Sequence, residues 1–380
     1  MKKIPKSRLR KIRTWSLGSR TAELESFGNP HKELRLIDLA SNDYLGLSRH
    51  PSLIQAAETV MKSQGVGAGA SRFITGSRPI HKELEEALCN WLGREHVSLF
   101  PSGFQANLAA VIALADRKTL VLADKYIHHS LLIGITASGA KTKRFAHNDI
   151  EGLEKLLINS RKKRPDQKIL VITESLFSME GSSPDLKKVT NLCTKYEAKL
   201  FVDEAHAIGV MGSKGRGLCY GISDPIKMIS GTFGKAFGSG GAFLATNKTI
   251  GNELIQSSGA FRYTTALAPP LAAAATAALN LIKQNPEWGA ELEEESKIWR
   301  SKLKGIGWDT PPGNGPILSI LIGSDEEALL QQKILEENGL LSVAIRPPTV
   351  PEGTARLRLV VRRDLPGNTL TKLMQSMSKK

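Results

Sequence analysis

The sequence has 380 residues, 41% hydrophobic and 23% charged. It reads as an ordinary globular protein of two or three domains at about 100–200 residues each, which excludes a disordered chain. With 52 basic and 37 acidic residues the formal net charge is +15, which admits a nucleic acid, anionic small ligands or a lysine-rich solvated surface. Three scattered cysteines, Cys89, Cys193 and Cys219, argue against a disulfide framework or a thiolate zinc site. No metal is expected. No apolar run follows the basic Met1–Arg10 stretch as it would in a signal peptide, so a cytoplasmic protein is expected.

In chain order, residues 1–35 read as irregular, polar and basic. Gly65-Val-Gly-Ala-Gly-Ala-Ser-Arg72 is glycine-rich. No apolar strand precedes it, so the dinucleotide fingerprint fails, leaving a flexible loop or a backbone that closely approaches a ligand. From residue 97 short apolar runs alternate with amphipathic segments. The runs are Val97–Phe100, Leu120–Ala123, Ile169–Thr173, Leu200–Val202, Met228–Ser230 and Ala242–Ala245. This alternation predicts an α/β fold with a mostly parallel central sheet covered on both faces. Ala266–Ile282 is apolar but short of the roughly 20 residues of a bilayer span, and contains Pro269, Pro270 and Asn280. It predicts a buried helix with prolines at its start, not a membrane segment.

After residue 283 the pattern changes. Gln284–Gly289 reads as a loop. Ser324-Asp-Glu-Glu327 is a capping box opening a helix that Gly339 can end, and Leu340–Ile345 and Leu357–Val361 are strand candidates. The expected division is an N-terminal segment 1–40, a large domain 41–283 and a smaller α+β domain 284–380.

Ligands of open α/β sheets bind beyond the carboxyl ends of the strands, so chemistry is sought there. Gly231-Thr-Phe-Gly-Lys235-Ala236 lacks the spacing and the Ser or Thr of a P-loop. It leaves a lysine at a strand end, flanked by glycines and aromatics, which is either a surface-turn lysine or a Schiff-base nucleophile. Asp203-Glu-Ala-His206 lacks the further ligands a metal site would need. A strand-end aspartate about 30 residues ahead of such a lysine suggests pyridoxal phosphate, whose chemistry needs a lysine and a carboxylate that keeps the ring nitrogen protonated. Ser102-Gly103-Phe104, before a helical pattern, can offer N–H groups to a phosphate. His128 can supply a stacking ring, although alone it reads as a structural histidine.

The set Ser41-Asn-Asp-Tyr-Leu-Gly-Leu47, Gly69-Ala-Ser-Arg72, His81-Lys-Glu-Leu-Glu85, Asp203-Glu-Ala-His206 and Gly231-Thr-Phe-Gly-Lys235 resembles the α-oxoamine synthases. These are pyridoxal-phosphate enzymes of the aspartate-aminotransferase fold, fold type I. The resemblance runs from about residue 36 to the C-terminus. Within the family, Phe145-Ala-His-Asn-Asp149 and Ile345–Arg358 are similar to the branch that joins L-alanine to a pimeloyl thioester in biotin synthesis. The resemblance implies that Lys235 carries the cofactor as a Schiff base and acts as general base. It puts Asp203 at the pyridinium nitrogen, His206 and Ser178 at the ring hydroxyl, and His128 on the ring as a catalytic residue also near the substrate. Gly103, Phe104 and Thr232 would sit at the cofactor, and Asn42 and Glu174 near the substrate. Arg358 would bind the amino-acid carboxylate, and Thr349 would line the acyl site. Period two puts Arg356 and Arg358 on one strand face, and a guanidinium grips a carboxylate bidentately. Without the family match, two solvated arginines are the plainer reading. The family's N-terminal substrate arginine is assigned to Arg20, with Arg10 and Arg13 as rivals. Ala207 stands where the family commonly has Ser or Gly.

The same resemblance implies a homodimer with its active site between subunits, to which Phe261-Arg-Tyr-Thr264 and the N-terminal segment contribute. It leaves open whether the acyl group arrives on coenzyme A or on an acyl carrier protein. The alternatives are a sister synthase (glycine C-acetyltransferase, 5-aminolevulinate synthase or serine palmitoyltransferase type) and a basic nucleic-acid-binding protein. The latter predicts clustered basic residues interleaved with aromatics, whereas the basic residues here are spread along the chain and aromatics are 6%.

Overall fold

Runs of Val, Ile, Leu and Phe without a polar alternate position suit strands buried on both faces. In the computed structural model, which describes residues 5–19, 22–27 and 35–378, each of the six runs is a strand, longer by one or two residues at one or both ends. They form a seven-stranded sheet in the order His96–Phe100, Ala242–Thr246, Ile226–Thr232, Lys199–Asp203, Lys168–Glu174, Thr119–Asp124, Lys141–Phe145. Ala242–Thr246 runs antiparallel to both of its neighbours, and the other neighbouring pairs are parallel. The edge strand Lys141–Phe145 was not anticipated. Its sequence, Lys-Thr-Lys-Arg-Phe, is exposed except at Phe145 and carries no apolar run. Charged edge strands resist pairing with other chains.

The chain divides into two units. One comprises the residues up to Gly46, Ser178–Ser182 and Ala290 onward; the other comprises Leu47–Phe177 and Ser183–Gly289. The N-terminal residues therefore do not stand as a segment apart. They share a unit with the C-terminal ones, and Ser178–Ser182 joins them.

The second unit holds the seven-stranded sheet. Its core is built from Phe100, Val121, Leu170, Ile172, Phe177, Phe201 and Met228, with Ala109 and Ala110 of the helix Gly103–Leu114. The apolar stretch near 270 is the helix Pro269–Gln284, with Pro269 and Pro270 in its first turn, where a missing N–H costs nothing. Its buried alanines let the helix Pro51–Gln64 pack closely against it. The glycine-rich segment 65–72 lies between the helices Pro51–Gln64 and Pro79–Leu92, where Arg72 is held bidentately by Glu85 at 2.8 and 2.9 Å.

The first unit carries two small sheets. Trp15–Leu17, Glu23–Ser26, Arg35–Asp38 and Leu340–Leu341 form one; Ile317–Gly323, Ala355–Val360 and Val343–Ile345 form the other. Two strands thus occupy part of the stretch expected to be irregular. The expected strand Leu340–Ile345 is broken at buried Ser342. Its halves pair with different partners, Arg35–Asp38 and Ala355–Val360. The helix Asp325–Glu337 opens with Ser324 Oγ accepting from Glu327 N at 3.2 Å, as its capping box predicts. The loop expected at 284–289 is shorter, because the helix Trp288–Gly305 begins within it. No helix among the described residues is long and apolar enough to cross a membrane.

Candidate active site

The sheet of the second unit brings several predicted residues to one place. A cavity of about 210 Å³ is lined by Gly103, Phe104, Asn107, His128, Glu174, Asp203, Ala205, His206, Thr232 and Lys235. Glu174, Asp203 and Thr232 end three strands of the sheet, so the cavity lies where ligands of such folds bind.

Lys235 is mounted on a hairpin. Thr232 pairs with Ala242 across antiparallel strands. Between them Phe233 N donates to Gly241 O at 2.9 Å, Ser239 N to Phe233 O at 2.8 Å and Gly238 N to Lys235 O at 2.9 Å. Thr232 Oγ1 donates to Gly241 O at 3.0 Å. Lys235 Nζ lies 2.7 Å from His206 Nε2, which rules out a lone lysine on a surface turn.

Asp203 is 5% exposed, and its carboxylate is oriented by two donors. Ala205 N donates to Oδ1 at 2.9 Å, and Asn107 Nδ2 donates to Oδ2 at 2.7 Å. His128 caps the helix His129–Ser138, with Nδ1 2.7 Å from Ser130 Oγ; its own backbone N–H donates to Glu174 Oε1 at 2.5 Å. Burial holds the His128 imidazole below its ordinary pKa, against the pull of Asp203, and Lys235 and His129 push the same way as burial.

Pyridoxal phosphate fits this donor set. A buried, doubly hydrogen-bonded carboxylate can face a protonated ring nitrogen, and an amine stands nearby. Gly103 begins a helix, offering N–H groups to an anion beside Thr232. The amide Oδ1 of Asn107, also at the cavity, is buried without a hydrogen-bond partner in the protein.

Of the remaining predicted residues, Asn42, Ser178, Thr349 and Arg358 lie in the first unit. Arg358 Nη2 donates to Asn42 Oδ1 at 2.7 Å, and Arg358 Nε donates to Ser178 O at 2.6 Å. Ser178 thus stands with Arg358 and Asn42 in that unit. Arg356 Nη1 pairs with Glu180 at 3.2 Å. Both arginines are buried, so the solvated reading fails. Arg362 anchors the loop that carries Asn42, donating to Asp38 Oδ2 at 2.6 Å, Ser41 Oγ at 2.8 Å and both Asp364 oxygens. Arg20 lies outside the described residues. Of its rivals, Arg10 Nη2 donates to Thr349 Oγ1 at 2.7 Å, whereas Arg13 pairs with Glu336 at 2.5 Å.

Asn107 and Ser130 were missed. The available signal was Asn107 itself, a polar residue within the apolar helix sequence Gly-Phe-Gln-Ala-Asn-Leu-Ala-Ala-Val, since a buried amide needs partners.

The fold and the site are those of a pyridoxal-phosphate enzyme of fold type I. The model of the aminotransferase class I and II family matches residues 35–377, and the chain belongs to that family. It is 41% identical over 327 residues to 8-amino-7-oxononanoate synthase of Methylobacillus flagellatus, covering 86% of this chain and 82% of that protein. Among solved structures it is similar to a serine palmitoyltransferase from S. paucimobilis with a bound PLP–myriocin aldimine, with TM-score 0.90, 26% identity and coverage of 97% and 91%. It is also similar to 8-amino-7-oxononanoate synthase from Francisella tularensis, with TM-score 0.75, 28% identity and coverage of 90% and 96%.

Proposed function

We propose that this chain catalyses the decarboxylative condensation of L-alanine with a pimeloyl thioester, giving 8-amino-7-oxononanoate, carbon dioxide and a free thiol, a step of biotin synthesis. One observation carries the reading: Asp203, His206, Lys235 and His128 meet around one cavity in a chain whose relatives bear that enzyme's name. Pyridoxal phosphate, when bound, supplies an electron sink for the negative charge that develops at the substrate Cα.

The protein residues then divide the work. Lys235 would hold the cofactor covalently, and its Nζ is the group that would take the Cα proton as base. His206, 2.7 Å from that Nζ, holds it in place. Asp203 would keep the ring nitrogen protonated, and the Ala205 and Asn107 donors hold that carboxylate in place. Gly103, Phe104 and Thr232 are assigned to the phosphate end, and His128 to the ring face. Arg358 and Asn42 are assigned to the amino-acid substrate, with Arg358 on its carboxylate. Glu174 steadies His128 through its backbone N–H. For the acyl chain, Arg10 is preferred to Arg20, because Arg10 reaches Thr349, the residue assigned to the acyl site.

The assembly is proposed to be a cytoplasmic homodimer. Its support is the exposure of Ile12 (100%) in the N-terminal segment and of Tyr263 (80%) in Phe261–Thr264, the two segments assigned to the subunit interface. The acyl group is carried by coenzyme A or by an acyl carrier protein.

The deciding assay pairs alanine, serine and glycine with pimeloyl-, palmitoyl-, acetyl- and succinyl-CoA. Turnover of alanine with the pimeloyl donor supports the reading. Turnover on another pair, in its absence, replaces the subfamily with a sister synthase, a reading favoured so far only by the TM-score of 0.90 to serine palmitoyltransferase. Lys235→Ala should lose both turnover and the visible absorbance of the bound cofactor. Retention of both refutes the role of Lys235.

A further inference from the structure

The groups beneath the cavity form a chain whose proton directions can be worked out. A carboxylate only accepts hydrogen bonds, so the amide atom of Asn107 facing Asp203 Oδ2 at 2.7 Å is the nitrogen, Nδ2. The same Nδ2 lies 3.0 Å from Ser130 Oγ and donates its second proton there. Ser130 Oγ is 2.7 Å from His128 Nδ1. With its oxygen already accepting from Asn107, the hydroxyl is set to donate its own proton to that nitrogen. The backbone N–H of Ser130 also points at His128 Nδ1, at 3.3 Å. Two donors converge on Nδ1, so Nδ1 carries no proton and the ring proton sits on Nε2.

The links are buried: Ser130 is 0% exposed and Asn107 4%. In a low dielectric, a chain with every direction satisfied strengthens itself, and a reversed link sets two acceptors (at Asp203) or two donors (at His128 Nδ1) face to face.

The geometry points to Asn107 and Ser130 as positioning residues: a one-way hydrogen-bond chain from Asp203 through Asn107 and Ser130 holds His128 as the neutral Nε2–H imidazole at the cofactor cavity. The consequence for the cofactor rests on the function proposed above. A neutral His128 can lie against a protonated ring without like-charge repulsion, and the anchor that fixes its tautomer also aims the carboxylate at the ring nitrogen. One network thus sets both groups. The charged and titratable groups facing His128 are Asp203, which favours protonation, Lys235 and His129, which oppose it, and Glu174 on its backbone N–H.

The test is 15N NMR of the full-length histidine-labelled chain, with and without pyridoxal phosphate, His128 being assigned by its loss in His128→Gln. The wild type should show an unprotonated Nδ1 and stay neutral below the ordinary imidazole value of about 6.5. Ser130→Ala should mix the tautomers and move protonation of His128 to higher pH, and Ser130→Thr, which keeps the hydroxyl, should restore the wild-type signal. Asn107→Leu should in addition weaken pyridoxal-phosphate binding by about tenfold to a hundredfold, the worth of one hydrogen bond to a charged group. A proton on Nδ1 in the wild type overturns the proposal. So does a folded Ser130→Ala or Asn107→Leu variant whose His128 signals and cofactor affinity match the wild type. The tautomer is read without turnover, so a failure of the alanine–pimeloyl assay leaves this result standing or falling by itself.

Discussion

Replacing Arg362 by leucine removes one cation from among three carboxylates. The Arg362 side chain is 4% exposed, and its guanidinium lies 2.6 Å from Asp38, 2.9 Å from Asp364 and 3.5 Å from Asp43. Burial alone would lower its pKa, but the carboxylates of Asp364, Asp38 and Asp43 outweigh that and raise it. Truncating one partner of a buried ion pair leaves uncompensated charge and costs about 3–5 kcal/mol. At roughly 2–4 °C per kcal/mol for a unit of this size, Arg362→Leu should lower the melting temperature by roughly 6–20 °C. Arg362→Lys should fall between, because a single ammonium cannot fork to Asp38 and Asp364 together. The assay is calorimetric melting at neutral pH. The loss should also appear as a raised KM for the amino acid, since Asp38 accepts from Ala40 N and Ser41 N immediately before Asn42. A leucine variant melting within about 2 °C of the wild type would show that the cluster is no stronger than an exposed ion pair.

Other outcomes are expected. Arg10→Ala should raise the KM for the acyl donor by about tenfold to a hundredfold, as one charge-assisted contact is lost, while Arg20→Ala leaves it unchanged; steady-state kinetics showing the reverse pattern would return the role to Arg20. Burial pushes the Glu204 carboxyl from 4.5 up to about 7, opposed by the Leu218 and Cys219 N–H groups. Its folded value lies above its unfolded one, so the native state holds the extra proton. Stability should therefore fall as pH rises between about 4.5 and 7, by about 1.4 kcal/mol per pH unit. Glu204→Gln should flatten that slope in denaturant titrations, and identical slopes would rule out Glu204 as its source.

The parallel sheet was legible because strands buried on both faces must be apolar throughout, as Ile169–Thr173 and Leu200–Val202 are. The edge strand Lys141–Phe145 was not, because one of its sides has no neighbour and its side chains face water. The helix Trp288–Gly305 was hidden for a related reason: its many Glu, Lys and Arg residues dilute the apolar stripe. Lys235 and Asp203 were legible from residue type at strand ends. What joins them was not, since the distance from Lys235 to His206 and the bond from Asn107 to Asp203 exist only after the strands pair. Arg356 and Arg358 show the limit of reading charge as exposure. Their partners, Glu180, Ser178 and Asn42, come from distant parts of the chain.

The hairpin that carries Lys235 has a mechanical meaning. Most connections at the ligand end of such a sheet lead into a helix, and their backbones can shift with it. Here both ends of the connection are clamped in adjacent antiparallel strands, with a rung from Phe233 to Gly241 just above the clamp. The stem of the lysine is therefore stationary, and any travel of its amine must come from rotation about the bonds of its own methylene chain. A residue asked to hold a group, release it and then reach for a proton is built as a swinging arm on a fixed post.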